Sequence, residues 1–147
     1  MPTLSVTMSG DSNIDRAGQM RISLIDQNEL VLKVVNDFLT STGCKVNCFE
    51  STAQLSGARD QLGTNVDLIL VDPGVAKEDH RREIEAIHSL YPGADIVIMS
   101  AEDSSLSLEQ AMEHGVYSYL NKPFRLAELE LLVARIKEKR NIQAGGR

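Results

Sequence analysis

The sequence predicts an open α/β fold, a doubly wound five-stranded parallel sheet with helices on both faces. Three observations predict it. Short apolar runs rich in β-branched residues alternate with longer segments of helical periodicity from Arg21 onward. The middle runs, such as "LILV" and "IVIM", are apolar throughout, as strands covered on both faces are. The chain has 147 residues, the usual size of one domain.

The five runs that predict strands are bounded by polar or turn-forming residues. In chain order they are Ile22–Ile25, Val46–Phe49, Val66–Val71, Ile96–Met99 and Val116–Leu120. The second run alternates, with Lys45 and Asn47 facing away from Val46 and Cys48, which places it at an edge of the sheet. Because crossovers between parallel strands are right-handed, few topologies remain, and we predict the flavodoxin-like order 2-1-3-4-5.

Segments with helical spacing lie between these runs. The first, "ELVLKVVNDFLTSTG", ends at Gly43, a favourable C-terminal cap. The second, "STAQLSGARDQLG", opens with Ser51 as N-cap and ends at Gly63. The third and fourth halt at Pro92 and Gly115. The predicted apolar faces of the first and last helices are Leu30, Val31, Val34, Val35 and Phe38, and Leu126, Leu129, Val133 and Ile136.

We predict one domain with a tail at each end. Residues 1–20 are rich in Ser, Gly, Asp and Asn and show no sustained period, so we expect a mobile N-terminal tail. Met20 directly precedes the first strand, and the sequence leaves open whether translation starts there or at Met1. The folded domain then covers residues 21–140, and residues 141–147 form a C-terminal tail.

Composition and charge argue against several functions. A net charge of −6 and a pI of about 5.0 do not suit direct binding to nucleic acid or to an anionic membrane. The apolar runs are too short to cross a bilayer, and the N-terminus has no secretory signal pattern. Cys44 and Cys48 lack a His/Cys cluster for zinc, so we expect two reduced thiols in a cytoplasmic protein.

Polar side chains follow the central strands at the point where each strand ends. Asp26 follows the first strand, Asp72 the third and Ser100 the fourth, and the fifth strand leads to Lys122. Ligands of such sheets bind outside the carboxyl ends of the strands. Each residue alone has a simpler explanation, such as a helix cap, a turn or a solvated cation. Together they predict a site with two carboxylates, a hydroxyl and an ammonium.

Residues 21–140 resemble the receiver domain of two-component response regulators. The most specific piece is "YLNKPF", Tyr119 to Phe124, in which Lys122 precedes a proline. The segments "LILVD" and "IVIMSA" match the signatures of the third and fourth strands of that family. The resemblance implies a cis Lys–Pro bond that aims Lys122 into the site.

The resemblance also implies roles for the residues of this site. Asp72 would be the phosphoacceptor, Lys122 would pair with the phosphoryl group, and Ser100 would donate a hydrogen bond to it. Tyr119 would act with Ser100 as the switch, and Ala101 would leave the phosphoryl group room. A carboxylate can attack phosphorus and form an aspartyl-phosphate. Such a domain is no enzyme, beyond catalysing its own phosphorylation and dephosphorylation.

The expected cofactor is Mg²⁺, held by Asp26, Asp72 and the backbone carbonyl of Gly74. The sequence departs from the family here, because the family places two adjacent acids after the first strand and this chain has Gln27 as the second residue. A neutral amide oxygen attracts a hard cation less than a carboxylate does. We therefore expect weak Mg²⁺ binding, unless Glu29 leans back to compensate.

Three functional hypotheses follow. The first is a phosphoacceptor receiver that takes its phosphoryl group from a sensor histidine kinase or phosphotransfer protein. It would signal to an output protein through the fourth helix, Tyr119 and the last helix, where Leu131 is a candidate contact, and it could form a homodimer. The alternative is a pseudo-receiver, a protein-interaction module that works without phosphorylation. A flavin or nucleotide binder would need a phosphate-binding loop after the first strand, where "DQNE" offers an acid instead.

Overall fold

The computed structural model of the protein describes residues 7–8, 18–62, 65–73, 80–101 and 108–145. Its strands are β1 Thr7–Met8, β2 Arg21–Ile25, β3 Lys45–Phe49, β4 Leu68–Val71, β5 Asp95–Ala101 and β6 Ser118–Lys122. Its helices are α1 Glu29–Ser41, α2 Thr52–Gly57, α3 Arg59–Leu62, α4 His80–Leu90, α5 Leu108–Glu113 and α6 Leu126–Gly145.

The strands from β2 to β6 form the predicted parallel sheet. They run in the order β3-β2-β4-β5-β6, which confirms the flavodoxin-like arrangement. Strand β1 was not predicted. It pairs antiparallel with β3, with Thr7 opposite Cys48 in the register. It lies within residues 1–20, most of which fall outside the described residues, so the mobility of that tail stays a prediction. Met20 is buried in the core and belongs with the domain.

Each face of the sheet covers its own hydrophobic core. Helices α1 and α6 cover one face and bury Leu32, Val35, Leu39, Leu129, Leu132, Val133 and Ile136. Helices α2, α4 and α5 cover the other face and bury Leu55, Ile84, Ile87 and Ala111. The central strands are buried on both sides, as the uninterrupted apolar runs predicted, because successive side chains of a strand point to opposite faces. The sheet is therefore a rigid platform for the residues at the ends of its strands.

The buried face of α1 differs from the predicted one. The helix buries Leu32, Val35 and Leu39, while Leu30 is 68% exposed and Val34 is 43% exposed. Of the predicted face, Val35 is buried and Val31 and Phe38 pack against the core, so only Leu30 and Val34 are left out of it. Periodicity alone does not separate these two residues from the core residues, and both line an apolar groove beside the helix.

The second predicted helix is two short helices. Ser51 is the N-cap of α2, as predicted, and its hydroxyl accepts a hydrogen bond from the N–H of Gln54 at 3.2 Å. The helical path breaks at Ala58, directly after Ser56 and Gly57, which favour a helix interior less than most residues. Helix α3 follows the break, and the predicted end at Gly63 lies outside the described residues.

The last helix corrects the predicted C-terminal tail, because α6 continues through Gly145 and makes residues 141–145 helical. Arg140 fastens this end of the helix to the sheet: its guanidinium donates to Asp95 at 3.0 Å and to the carbonyl of Gly93 at 3.1 Å, and Lys139 donates to Asp95 at 2.8 Å. These contacts lie one turn before the end of the helix, at the predicted boundary at residue 140. Leu131 is 53% exposed, outside the buried stripe, as predicted.

Both cysteines are free and buried. Desolvation raises the pKa of the Cys48 thiol to about 11, with a smaller contribution from the charge of Asp37, and desolvation also raises the pKa of Cys44. Both side chains therefore stay protonated at neutral pH and act as small apolar core residues. Among the helices in the described ranges, none combines the length and apolar character needed to span a membrane.

Candidate functional site

The candidate site lies at the carboxyl edge of the sheet. Asp26 and Asp72 come directly after β2 and β4, and their backbone N–H groups continue the sheet pattern by donating to Phe49 at 3.1 Å and to Ile25 at 2.9 Å. Both carboxylates are therefore held by neighbouring strands rather than by a loose loop. Lys122 is the last residue of β6.

Asp26 is held by the start of α1. One of its oxygens, Oδ1, accepts a hydrogen bond of 2.8 Å from the backbone N–H of Asn28. Asn28 is also the N-cap of the helix, since its side chain accepts from the N–H groups of Leu30 at 2.9 Å and Val31 at 3.2 Å. The turn that starts the helix thus fixes the carboxylate, which is only 2% exposed.

Lys122 contacts both carboxylates. Its Nζ donates to Oδ2 of Asp26 at 2.5 Å and to Oδ2 of Asp72 at 2.5 Å. The side chains of Asp26, Asp72 and Lys122 are 3%, 18% and 21% exposed, so the two ion pairs are largely shielded from solvent. Two carboxylates and one ammonium leave a formal charge of −1 at this group of three residues.

The lysine reaches these acids across the intervening strand. Strand β5 lies between β6 and β4, and adjacent strands are about 4.8 Å apart. Lys122 must therefore extend over the end of β5, where Ser100 and Ala101 are both small residues. Ala101 pairs in register with Lys122, and Ser100 is 2% exposed. The Lys122–Pro123 bond is cis, as the resemblance implied.

The electrostatics of the site favour a charged lysine. Burial by itself would lower the pKa of Lys122, because a buried ammonium loses hydration. The hydrogen bonds and negative charges of Asp26 and Asp72 outweigh that effect and raise the pKa of Lys122 above its ordinary value. The ammonium therefore remains charged throughout the physiological pH range.

The other predicted residues that the structure describes lie at the rim of the site and in β6. Gln27 is exposed at the rim, and Glu29 is exposed in the first turn of α1. Tyr119 is half-buried in β6 and packs against the core under α4 and α5. Gly74, the predicted carbonyl ligand, lies outside the described residues. Within the described ranges, no group of three or more His, Cys, Asp or Glu side chains is arranged to hold a metal ion.

The two carboxylates nevertheless fit a cation. Oxygens of Asp26 and Asp72 are directed at one point, the Nζ of Lys122, which acts as a stand-in for a positive ion. Carboxylate oxygens are ligands that Mg²⁺ prefers. A magnesium ion would thus find two anionic ligands here, and Lys122 occupies the same two oxygens.

An apolar groove of about 590 Å³ adjoins the site, and the sequence did not predict it. The groove runs between α1 and the segment that links β6 to α6, and Lys122 and Ala101 form its end beside the carboxylates. Its other lining residues are Leu30, Val31, Val34, Val35, Pro123, Phe124 and Leu126. The sequence signal for the groove is the apolar character of Leu30 and Val34, which the predicted buried face of α1 includes.

The parallel order of β3-β2-β4-β5-β6, with an acid after each of two central strands and a lysine at the end of the last, defines the receiver class of signalling domains. The family model "Response regulator receiver domain" matches residues 22–134. The chain therefore belongs to the response regulator receiver family of two-component signalling proteins.

Two bacterial regulators illustrate the relationship. The chain is 22% identical over 127 residues to a probable C4-dicarboxylate response regulator, DctR, of Bacillus subtilis, covering 86% of this chain and 56% of that protein. It is 32% identical over 100 residues to the transcriptional regulatory protein GlrR of Escherichia coli, covering 68% of this chain and 22% of that protein. The chain thus spans about half or less of the length of these relatives.

Solved structures agree with the fold. The signal receiver domain of a putative LuxO repressor protein from Vibrio parahaemolyticus superposes with a TM-score of 0.73 at 13% identity. The match covers 86% of this chain and 95% of that one. At this identity the likeness concerns the fold alone, and the function has to be argued from the site.

Proposed function

We propose that the protein is a cytoplasmic phosphoacceptor receiver that accepts a phosphoryl group on Asp72. The observation that supports this most is the direct contact of Asp72 with Lys122 at the carboxyl edge of the sheet. In the proposed reaction a carboxylate oxygen of Asp72 attacks the phosphorus of a phosphohistidine. A P–O bond forms, the P–N bond breaks, and the imidazole of the donor keeps the electron pair.

The residues of the site meet what phosphoryl transfer asks of a protein, which is positioning and neutralisation of charge. Asp72 is fixed by its backbone bond to β2, and the ammonium of Lys122 can neutralise a phosphoryl oxygen. The buried hydroxyl of Ser100 is the proposed hydrogen-bond donor to the phosphoryl group. Asp26 and Asp72 would hold Mg²⁺, with the carbonyl of Gly74 as a further proposed ligand. When bound, Mg²⁺ supplies positive charge to the transferring oxygens.

Incubation with acetyl phosphate and Mg²⁺, followed by intact-mass measurement, tests this function. We expect one phosphoryl group per chain, with a bond that hydroxylamine cleaves, as an acyl phosphate requires. An unmodified mass under all Mg²⁺ concentrations, in a protein that remains folded, contradicts the proposal.

The partners are proposed from the class of protein and from the groove. The phosphodonor is a sensor histidine kinase or a phosphotransfer protein, and the receiver then acts on an output protein. To deliver its phosphoryl group, the donor must cover the rim at Asp72, and the apolar groove opens from the same rim. We expect an apolar face of the donor to pack on Leu30 and Val34, because exposed apolar surface of this kind suits protein contacts.

Leu30→Glu distinguishes transfer from a protein donor from transfer by acetyl phosphate. The substitution places a charge in the groove, and because Leu30 is 68% exposed, the fold should tolerate it. We expect transfer from a phosphohistidine protein that labels the wild type to slow by about tenfold or more. Labelling by acetyl phosphate should not change, because that donor needs no groove. Ile142→Glu, at a 63% exposed position of α6, is the matched control. Equal slowing with both donors would exclude a docking role.

We propose that the signal leaves through the surface formed by α5, Tyr119 and α6, with Leu131 as an exposed apolar contact for an output protein or for a second copy of this chain in a homodimer. Tyr119 packs against the core that α5 covers, so a change at the site can reach this surface through β5 and β6. On addition of beryllium fluoride as a phosphoryl analogue, amide exchange should change in α5, β6 and the first turns of α6. Unchanged exchange there, at saturating analogue, would count against this route.

The second candidate function is a pseudo-receiver that binds proteins without phosphorylation. The observation that favours it is the exposed Gln27 in place of an acid, together with the ion pairs that engage Asp26 and Asp72. It predicts that neither metal nor phosphoryl group binds, while the groove still recruits a partner. The acetyl phosphate experiment distinguishes the two functions.

A further inference from the structure

We propose that the outer edge of β3 is a self-association surface, on which a second copy of this chain pairs its own β3 in antiparallel orientation once β1 has left. The N-terminal strand β1 then acts as a displaceable cover of this edge. The proposal goes beyond the proposed function and does not rest on it. The juxtaposition that carries it is the pairing of β1 with β3 beside Asn47, whose buried side-chain oxygen has no hydrogen-bond partner among the described contacts.

The hydrogen bonds of β3 show which of its backbone groups reach the outer edge. The N–H of Lys45 and the carbonyl of Phe49 form hydrogen bonds of 2.8 and 3.1 Å on the side of β2. Successive residues of a strand direct their backbone groups to opposite sides. Val46 and Cys48 therefore direct their N–H and C=O groups to the outer edge, where a further strand can pair with them.

Strand β1 now covers this edge. Thr7 lies opposite Cys48, whose backbone groups point outward, so Thr7 is the residue that exchanges hydrogen bonds with β3. Met8 lies opposite Asn47, whose backbone groups point to β2, so the N–H of Met8 is directed away from β3. Strand β1 comprises two residues, and a strand this short is readily displaced. Its release exposes unpaired backbone groups, which are a template for pairing with another chain.

The edge of β3 is complementary to itself. Strand β1 shows that this edge accepts an antiparallel strand, and the two outward residues, Val46 and Cys48, lie symmetrically about Asn47. When two β3 strands pair with Asn47 at the two-fold axis, Val46 of each copy lies opposite Cys48 of the other, and each such pair exchanges two backbone hydrogen bonds. The contact is isologous, because both copies use the same groups, and it joins the two sheets into one.

The side chain of Asn47 favours a second copy over the present cover. It is 7% exposed, and its Oδ1 has no hydrogen-bond partner among the described contacts. Ser23 lies opposite it in β2, but the hydroxyl of Ser23 is likewise buried without a partner, and the side chain of Met8 on the other side has no donor. At the two-fold axis the two Asn47 side chains are close, so Nδ2 of each can donate to Oδ1 of the other. Pairing would remove the cost of an unsatisfied buried oxygen.

This contact is separate from the proposed signalling surface. The order of the sheet places β3, with β1 outside it, at one edge and β6 at the other. A dimer formed through β3 therefore leaves α5, Tyr119 and α6 uncovered, and variants can distinguish the two surfaces.

Proline substitutions in β1 of the full chain test the proposal. Thr7→Pro removes an N–H that pairs with β3, whereas Met8→Pro, the matched control, removes one that points away from β3. Analytical ultracentrifugation measures the dissociation constant of the dimer. Thr7→Pro should lower it by about fivefold or more, because the cover loses a backbone hydrogen bond, and Met8→Pro should match the wild type. An unchanged or higher dissociation constant in folded Thr7→Pro overturns the proposal, and a higher one points to exchange of β1 between copies instead.

Substitutions of Asn47 test the register of the two strands. Asn47→Asp in the Thr7→Pro background places two carboxylates at the axis and should return the protein to a monomer, while Leu131→Glu in the same background is the control and should leave the dimer intact. Persistence of the dimer in folded Thr7→Pro/Asn47→Asp assigns it to another surface and overturns the proposal.

A cross-link in the presence of the native β1 covers the case in which Thr7→Pro does not fold. In a non-hydrogen-bonded antiparallel pair the two Cα atoms are about 4.5 Å apart, which a disulfide can span. Mild oxidation of Asn47→Cys should therefore yield a disulfide between the substituted positions of two copies, identified by peptide mapping. Absence of this disulfide in the folded variant overturns the proposal. None of these measurements needs a phosphodonor, so failure of the phosphoacceptor function would be seen separately.

Discussion

Asp72→Asn should reduce phosphoryl labelling to background. The amide of asparagine is a poor nucleophile and cannot form the acyl phosphate, while its size and its oxygen still allow a contact with Lys122. The measurement is intact mass and peptide mapping after acetyl phosphate and Mg²⁺ treatment of both proteins. Wild type should carry one adduct on Asp72, and the variant should carry none.

Two observations make this prediction specific to Asp72. Asp26 is more deeply buried, and both of its oxygens are engaged by Asn28 and Lys122, so it has no oxygen directed at an incoming phosphorus atom. Asp60→Asn, at an exposed position of α3, is the control and should label like the wild type. A stable adduct on another acid, or undiminished labelling of Asp72→Asn, would remove Asp72 from the role of phosphoacceptor.

The sheet order and the strand-end residues were predictable because both follow from local patterns. Uninterrupted apolar runs identify strands buried on two faces, and parallel strands bring their carboxyl ends to one edge. The sequence therefore predicts where Asp26, Asp72 and Lys122 stand relative to their strands. It does not predict that their side chains are in direct contact, because that depends on how far the lysine side chain extends over β5.

The two incorrect predictions concern the buried face of α1 and the end of α6, and periodicity in the sequence does not determine either of them. Helix α1 has apolar residues over more than half of its surface, and the core takes in Leu32 and Leu39, which were not predicted, while Leu30 and Val34 stay exposed. The last turns of α6 are attached to the sheet through contacts of Arg140 with Asp95 and Gly93, which are remote in sequence. In both cases tertiary contacts override a local signal.

The groove is lined by the apolar residues of α1 that the sequence led us to expect in the core. A contiguous apolar patch on the surface marks an interaction site more often than a scattered apolar residue does. Leu30 and Val34 lie beside Pro123 and Phe124, and the same patch touches Lys122. The proposed contact with a phosphodonor rests on the position of the patch next to the carboxylates rather than on its area.

Gln27→Asp should restore tight Mg²⁺ binding and speed labelling by small phosphodonors. Gln27 directly follows Asp26 and is exposed at the rim, so a carboxylate there adds a negative charge beside the two existing ones without entering the core. Loss of a supporting group commonly weakens a metal site by about 10- to 100-fold, and the substitution should recover at least that much affinity. Titration of both proteins with Mg²⁺, followed by calorimetry and melting temperature, measures it.

The same substitution should lower the melting temperature of the metal-free protein, because a new carboxylate next to Asp26 raises repulsion that Lys122 alone has to offset. Added Mg²⁺ should reverse the loss by binding the folded state. Gln61→Asp, which adds an equal charge at an exposed position of α3, should change neither affinity nor labelling. If the wild type binds Mg²⁺ as tightly as Gln27→Asp, the charge argument is wrong, and Glu29 or another acid supplies the third ligand. If neither protein binds metal or accepts a phosphoryl group, the pseudo-receiver function is the correct one, and Lys122 serves as the counter-ion of the two aspartates.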